Sequence, residues 1–418
     1  MSLLCHNDRW FMDGVALTAV AAEFGTPCYL YSATSLQQHY QEYAQALASY
    51  PHLICYAVKA NANLSLLQYL AQLGCGFDIV SAGELSRVLA VGGAAQHVVF
   101  SGVGKSDADL QAALNAGIYC FNVESAAELQ RLNQLAAASA KIAPISFRVN
   151  PEVDANTHPY IATALNHSKF GIAYAEAIAL YQQAAALPHI QVIGLACHIG
   201  SQLTTLAPFV EALDKLLSLA VQLEALGIKL QHLDMGGGLG VPYHDESPPT
   251  INAYVNTLLT KLKPYPYRLI LAPGRSLVAQ SGVLLTRVEY LKSTPHKQFA
   301  IVDAGMNDLL RPTLYGAWHN IIAVTPRSTA AIAYDIVGPV CESSDCFASA
   351  RPLAIDAGDL LAVLDVGAYG MSMSSNYNTR PRAAEVLIDT QGQARLIKSR
   401  ETLEGLLADE KAHLTSPL

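Results

Sequence analysis

The amino-acid sequence predicts an α/β fold: a (β/α)8 barrel of TIM type, followed by a second, mostly β domain. Three observations carry this. Between residues 54 and 275, eight short apolar runs each end on a polar or glycine-rich tip and lead into a segment of helical period. Strands alternating with helices pair in parallel, and eight such units in about 220 residues match one closed architecture. After Ser276 the texture changes to runs rich in valine, isoleucine and tyrosine, punctuated by turn residues.

In chain order the barrel strands are ICYAVKA (54–60), GFDIVS (76–81), HVVFSG (97–102), YCFNVES (119–125), PISFRVN (144–150), VIGLACHIG (192–200), HLDMGGGL (232–239) and RLILAPGR (268–275). Between them, segments such as NLSLLQYLAQLG, SDADLQAALNAG and FVEALDKLLSLAVQLEALG repeat leucine and alanine every three or four residues and close on glycine. That is the pattern of amphipathic helices. The later runs SLVAQSGVLLTRVEYL, KQFAIVDAG, TAAIAYDIVGPV, DLLAVLDVGAYG and RAAEVLIDTQGQARLI read as strands, and ETLEGLLADE as a helix. The expected division is a barrel over 25–275 and a β domain over 276–418, the latter joined by residues 1–24.

The length of 418 residues favours two domains. A composition 51% apolar and 14% charged supports a large core and excludes wholesale disorder. A net charge of −8 argues against a nucleic-acid partner or an anionic membrane. No run approaches the ~18 apolar residues of a membrane span. Asp8 and Arg9 stand where a signal peptide needs its apolar core, so a cytoplasmic location is expected. The eight cysteines form no CxxC pair, suggesting neither a zinc knuckle nor a disulfide scaffold, and no metal site is expected.

Active sites of such barrels lie at the C-terminal ends of the strands. The polar tips there are Lys59, Asp78, Ser81, Ser101, Glu124, Arg148, Asn150, His198, Gly236 to Gly238 and Arg275. Taken alone, Lys59 fits a lysine snorkelling to solvent. The sharper reading is a desolvated amine that forms an imine with an aldehyde cofactor, and its apolar neighbours favour the neutral form this needs. The glycines of DMGGGLG allow close backbone approach and could cradle a phosphate, or simply make a tight turn. Their spacing is not GxGxxG and no Walker lysine follows, so neither a dinucleotide fold nor an NTPase is supported. His198 could stack on a flat cofactor, and Arg275 could hold an anion bidentately or serve as a structural ion-pair partner. In the β domain DAGMNDLLRPTLYGAWH, GPVCESSD and DVGAYGMSMSSNYN break plain strand alternation.

Together YAVKAN, GFDIVSAGEL, SKFGI, HIGSQ, DMGGGLG, PGRS, RPTLYGAWH, GPVCESSD and GAYGMSMSSNYN resemble the meso-diaminopimelate decarboxylases. These pyridoxal 5'-phosphate (PLP) enzymes pair an alanine-racemase-like barrel with a β domain, and the resemblance runs from about residue 20 to about residue 390. It implies that Lys59 carries PLP covalently, that His198 stacks on the ring, and that glycines around Gly237 bind the phosphate. The implied cofactor set is Lys59, Asp78, His198, Ser201, Gly237, Gly238, Ala272, Pro273, Gly274, Arg275 and Tyr369. Arg275, Arg311, Tyr315, Glu342 and Tyr369 match the substrate-gripping positions, and Cys341 matches the proton donor to Cα. In the family Cys341 and Glu342 arrive from the partner subunit, which implies a homodimer with shared sites. The implied reaction converts meso-2,6-diaminopimelate to L-lysine and CO2, the last step of lysine biosynthesis.

One position departs. The family has glutamate where this chain has Ala272, and that glutamate pairs with the pyridinium nitrogen. Losing a charge-assisted hydrogen bond of roughly 1.5–3 kcal/mol corresponds to roughly 10- to 150-fold in rate. The alternatives this leaves are a non-catalytic PLP-binding protein on the same scaffold, or a decarboxylase of another diamino acid.

Overall fold

The computed structural model describes residues 3–153 and 169–414. Ser168 of the SKFGI motif lies outside them. The chain divides into two units: Gln37–Pro242 with Glu246–Leu277, and Met1–Leu36 with Tyr243–Asp245 and Val278–Leu418.

The first unit is a closed parallel barrel. Its strands run His52–Ala57, Gly76–Ile79, Val98–Phe100, Cys120–Val123, Ala143–Asn150, Ile190–Ala196, His232–Asp234 and Arg268–Leu271, each paired with the next and the last with the first. All eight coincide with the runs expected from sequence. The helices between them are punctuated as their sequences require. The helix Asp107–Ala116 starts on a capping box between Ser106 and Asp109 and ends on Gly117 at φ 66°. Ser81, one of the polar tips, accepts the backbone N–H of Glu84, so it serves the helix Ala82–Ala90 as its cap. The helix Ala207–Ala225 buries Phe209, Leu213, Leu216, Leu217 and Leu223, each worth about 1.5–3 kcal/mol of apolar burial.

The second unit is built on a mixed sheet. Its central strand Gly282–Ser293 lies antiparallel to Gln298–Val302, Leu360–Val363 and Cys28–Ser32. Cys28–Ser32 runs parallel to Ala384–Ile388. Leu30, Val283, Leu285, Ala362 and Val386 close the core of this sheet, with Met12, Leu17 and Val20 over it. The sequence-based division placed residues 25–36 with the barrel. The strand Cys28–Ser32 instead completes this sheet, because its ladder partners are the β runs some 250 and 350 residues downstream.

Candidate active site

Lys59 sits on the 3-10 turn Val58–Ala60 that ends the first barrel strand. Val58 and Ala60 are buried, but Lys59 itself is exposed, so the desolvation expected of it is not present. Three loops nest at backbone contact around the same end of the barrel. A Cβ on Gly236 would lie 2.7 Å from His198 Nδ1, one on Gly237 2.3 Å from the carbonyl oxygen of Ala272, and one on Gly238 2.6 Å from that of Gly200. Gly274 is packed the same way: its Cβ would meet those of Ala57 and Ala60, on either side of the lysine turn, at 3.1 Å. The glycines are therefore required by close approach.

His198 accepts the Gly237 N–H at Nδ1 over 3.3 Å, which leaves its proton on Nε2. Burial, with the Arg148 and Lys59 charges nearby, lowers its pKa well below the usual histidine value, so the ring is neutral. Arg275 opens a short helical turn and donates from Nη2 to Ser201 Oγ at 2.9 Å. Pro273 accepts the Ala57 N–H at 3.1 Å, and Ala272 is buried.

Three buried carboxylates line the strand ends. Asp78 accepts from Ser101 Oγ at 2.6 Å. Burial raises its pKa, against the Lys59 and Arg148 charges and the Ser101 bond. Glu124 pairs with Arg148 at 3.3 Å and also accepts the backbone N–H groups of Gly102 and Gly171. Asp234 accepts from Asn122 and Gly236, and burial pushes its pKa up to about 7. Lys105, whose side chain has no exposure, donates to Glu128, Gly102 and Asn122. Sequence reasoning passed over Asn122, Ser146, His232 and Asp234 because they lie inside strands. The available signal was parity: Asn122 and Asp234 stand two residues before the tip positions 124 and 236.

The remaining candidate residues belong to the sheet unit. Arg311 is buried, donates to His319 Nε2 at 2.7 Å and lies over the Tyr243 ring at 4.4 Å. Tyr315 ends the same short helix, Arg311–Tyr315, and is half-buried. Cys341 and Glu342 are exposed; Tyr377 Oη donates to Glu342 at 2.8 Å, and the Cys341 N–H to Asn378 at 3.2 Å. Buried Asp345 anchors this loop by accepting the N–H groups of Met306 and Val340, both at 2.7 Å. Tyr369 is held at φ 58°, a left-handed backbone that costs a non-glycine residue about 1–3 kcal/mol.

An amine at a barrel mouth, ringed by glycine loops, a neutral imidazole and an arginine–serine pair, suits an aldehyde cofactor bearing a phosphate. Residues 33–279 match the family model of the pyridoxal-binding domain of pyridoxal-dependent decarboxylases. The fold and the matched domain define a PLP-dependent decarboxylase. The chain is 57% identical to the diaminopimelate decarboxylase of Pseudomonas aeruginosa over 400 residues, 96% of each chain. It is 55% identical to that of Vibrio cholerae over 97% of each. Among solved structures, diaminopimelate decarboxylase from Helicobacter pylori complexed with L-lysine superposes with a TM-score of 0.92 at 43% identity, covering 95% of this chain and all of that one. The enzyme from M. jannaschi gives 0.94 at 38%, covering 100% and 98%. The chain belongs to the diaminopimelate decarboxylase family. Among the described residues no helix is long and apolar enough to cross a membrane.

Proposed function

We propose that this chain releases the α-carboxylate of meso-2,6-diaminopimelate as CO2 and leaves L-lysine, closing lysine biosynthesis. The observation that carries the reading is likeness over nearly the whole chain to relatives of that name, joined to the nested mouth around Lys59. Bound PLP supplies the electron sink for the pair released when the Cα–carboxylate bond breaks.

The protein's own groups have distinct tasks. Lys59 Nζ holds the cofactor, and an exposed amine is reachable by it. Neutral His198 offers a flat, uncharged face to the ring. The N–H group of Gly238, with Ser201 and Gly274, holds the phosphate; Gly237, whose own N–H serves His198, supplies the close backbone approach, and Asp78, Ala272, Pro273, Arg275 and Tyr369 complete the cofactor contacts. A substrate with a second ammonium and carboxylate is selected by groups that pair with both, which assigns Arg275, Arg311, Tyr315 and Tyr369 to the carboxylate end and Glu342 to the ammonium. Cys341 delivers the proton to Cα. The reading includes a homodimer acting in the cytoplasm without nucleic-acid or membrane partners; the exposure of Cys341 and Glu342 supports delivery of these side chains to a second subunit.

Lysine release from meso-diaminopimelate by the purified chain with added PLP, beside Ala272→Glu, tests this. Release by both establishes the reaction and sets the cost of the missing carboxylate at up to about 150-fold. Release by neither, with PLP visibly bound to Lys59, would move the reading to a PLP-binding protein or to another substrate.

A further inference from the structure

Beneath the mouth, the barrel interior carries a continuous run of hydrogen bonds whose direction is set by its chemistry. Asn122 donates from its amide nitrogen to Asp234 Oδ2 at 2.9 Å. That nitrogen also donates to Ser101 Oγ at 3.2 Å, and the amide oxygen accepts from Ser146 Oγ at 2.8 Å. Ser101, already an acceptor, directs its single proton to Asp78 Oδ1 at 2.6 Å. Ser146, having given its proton to Asn122, accepts from His232 Nε2 at 3.3 Å, which leaves Nδ1 facing the Tyr119 hydroxyl at 3.4 Å. The neutral tautomer this needs agrees with burial, which pushes the His232 pKa down to about 3.

Every proton in the run thus points toward the mouth, and the run ends on two carboxylates. Asp78 stands opposite Ala57 in the strand register, two residues before Lys59. Its charged surroundings are Lys59 and Arg148, which favour its ionised form, and Glu124, Asp234 and Glu84, which oppose it. Ser101 gives the Asp78 carboxylate its one hydrogen bond among the described residues. Glu124 and Asp234, by contrast, each have both oxygens engaged.

We propose that this oriented run keeps Asp78 an ionised acceptor beside Lys59, which makes Ser101 and Asn122, with Ser146 and His232 behind them, positioning residues for the decarboxylation. The proposal rests on Lys59 as the cofactor lysine. It assigns the polar barrel floor to the chemistry as well as to packing, and it predicts effects that weaken with distance along the run.

The test is carboxyl 13C NMR of the full chain labelled at aspartate Cγ, with and without PLP, the Asp78 signal being identified by its loss in Asp78→Asn. Ser101→Ala is expected to raise the Asp78 midpoint by about 1 pH unit, as loss of a hydrogen bond to a charged group requires. Ser101→Thr, which keeps the hydroxyl, restores it. Asn122→Ala raises it less, and His232→Gln less again. The acid limb of kcat/KM moves with the NMR midpoint. An unchanged midpoint in Ser101→Ala, with PLP still visibly bound to Lys59, overturns the proposal and leaves the decarboxylase reading intact. No binding of PLP to Lys59 in the unsubstituted chain would overturn both, and is seen separately as a missing visible absorbance.

Discussion

Gly237→Ala is the sharpest single test of the mouth. Gly237 is not held at positive φ, so alanine is allowed by its backbone and the whole effect is steric. The added Cβ would sit 2.3 Å from the carbonyl oxygen of Ala272. Relief to ordinary contact requires a movement of about 1 Å, and both sides are backbone, so no flexible side chain can absorb it. Separating the loop 236–240 from the turn 272–275 by about 1 Å misplaces the groups on both, and displacement of that size at a reacting centre costs on the order of 100-fold. Global stability falls by about 1–3 kcal/mol, the usual cost of overpacking. The assay is kcat/KM for lysine release and PLP affinity from its visible absorbance, beside Gly104→Ala, whose Cβ would meet nothing within 4 Å. The control is expected to match the unsubstituted chain within about 0.5 kcal/mol. A folded Gly237→Ala protein with unchanged PLP affinity and kcat/KM would refute the close-approach argument.

Two further expectations concern the barrel floor. A Cβ on Gly194 would lie 2.1 Å from His232 Nε2, so Gly194→Ala should destabilise by about 1–3 kcal/mol or more, and His232→Ala should absorb much of that loss in the double variant; additive urea midpoints would sink the claim that these two residues compete for one space. His232 titrates near 3 when folded and near 6.5 when unfolded, so as pH falls the unfolded chain takes the proton first. Its contribution is complete above pH ~6.5 and is lost toward ~3, at up to about 1.4 kcal/mol per pH unit. Urea midpoints at pH 7 and pH 5 should therefore differ less in His232→Gln; equal slopes would refute a neutral buried ring.

What the sequence showed, and what it hid, follows from how local each cause is. The barrel strands were legible because parallel strands buried on both faces are apolar throughout and their ends are marked by polar tips. The tip residues Lys59, Asp78, Glu124, Arg148, His198 and Arg275 could be named because the architecture sends every strand's C-terminal end to one face. The strand Cys28–Ser32 was missed for the opposite reason. Its sequence, CYLYS, is as apolar as any barrel strand, and only its pairing with Gly282–Ser293 and Ala384–Ile388 assigns it to the other sheet. The exposure of Lys59 was also beyond local reading, since buried neighbours in sequence do not fix where a long side chain points.

The polar floor illustrates a different limit. Asn122, Ser146, His232 and Asp234 look like imperfections in apolar strands until the register brings them together. Each alone would cost about 1–3 kcal/mol if buried unsatisfied, and an isolated carboxylate far more. Joined, they satisfy one another, and Gly194 leaves the space that the His232 ring fills. A core built only for stability would replace such a set with leucine and valine at little loss, because buried polar pairs rarely outperform apolar packing. The polar set is interleaved with the apolar cluster of Leu53, Cys55, Val99 and Ile270: Val99 stands opposite Asp78 in register, Ile270 opposite Asp234, and Tyr119 packs against the cluster. Replacing Asn122 by leucine removes the donor shared by Asp234 and Ser101, so it should destabilise the fold by about 1–3 kcal/mol and move the Asp78 titration as well; a titration left unchanged at that loss would mark a purely structural role.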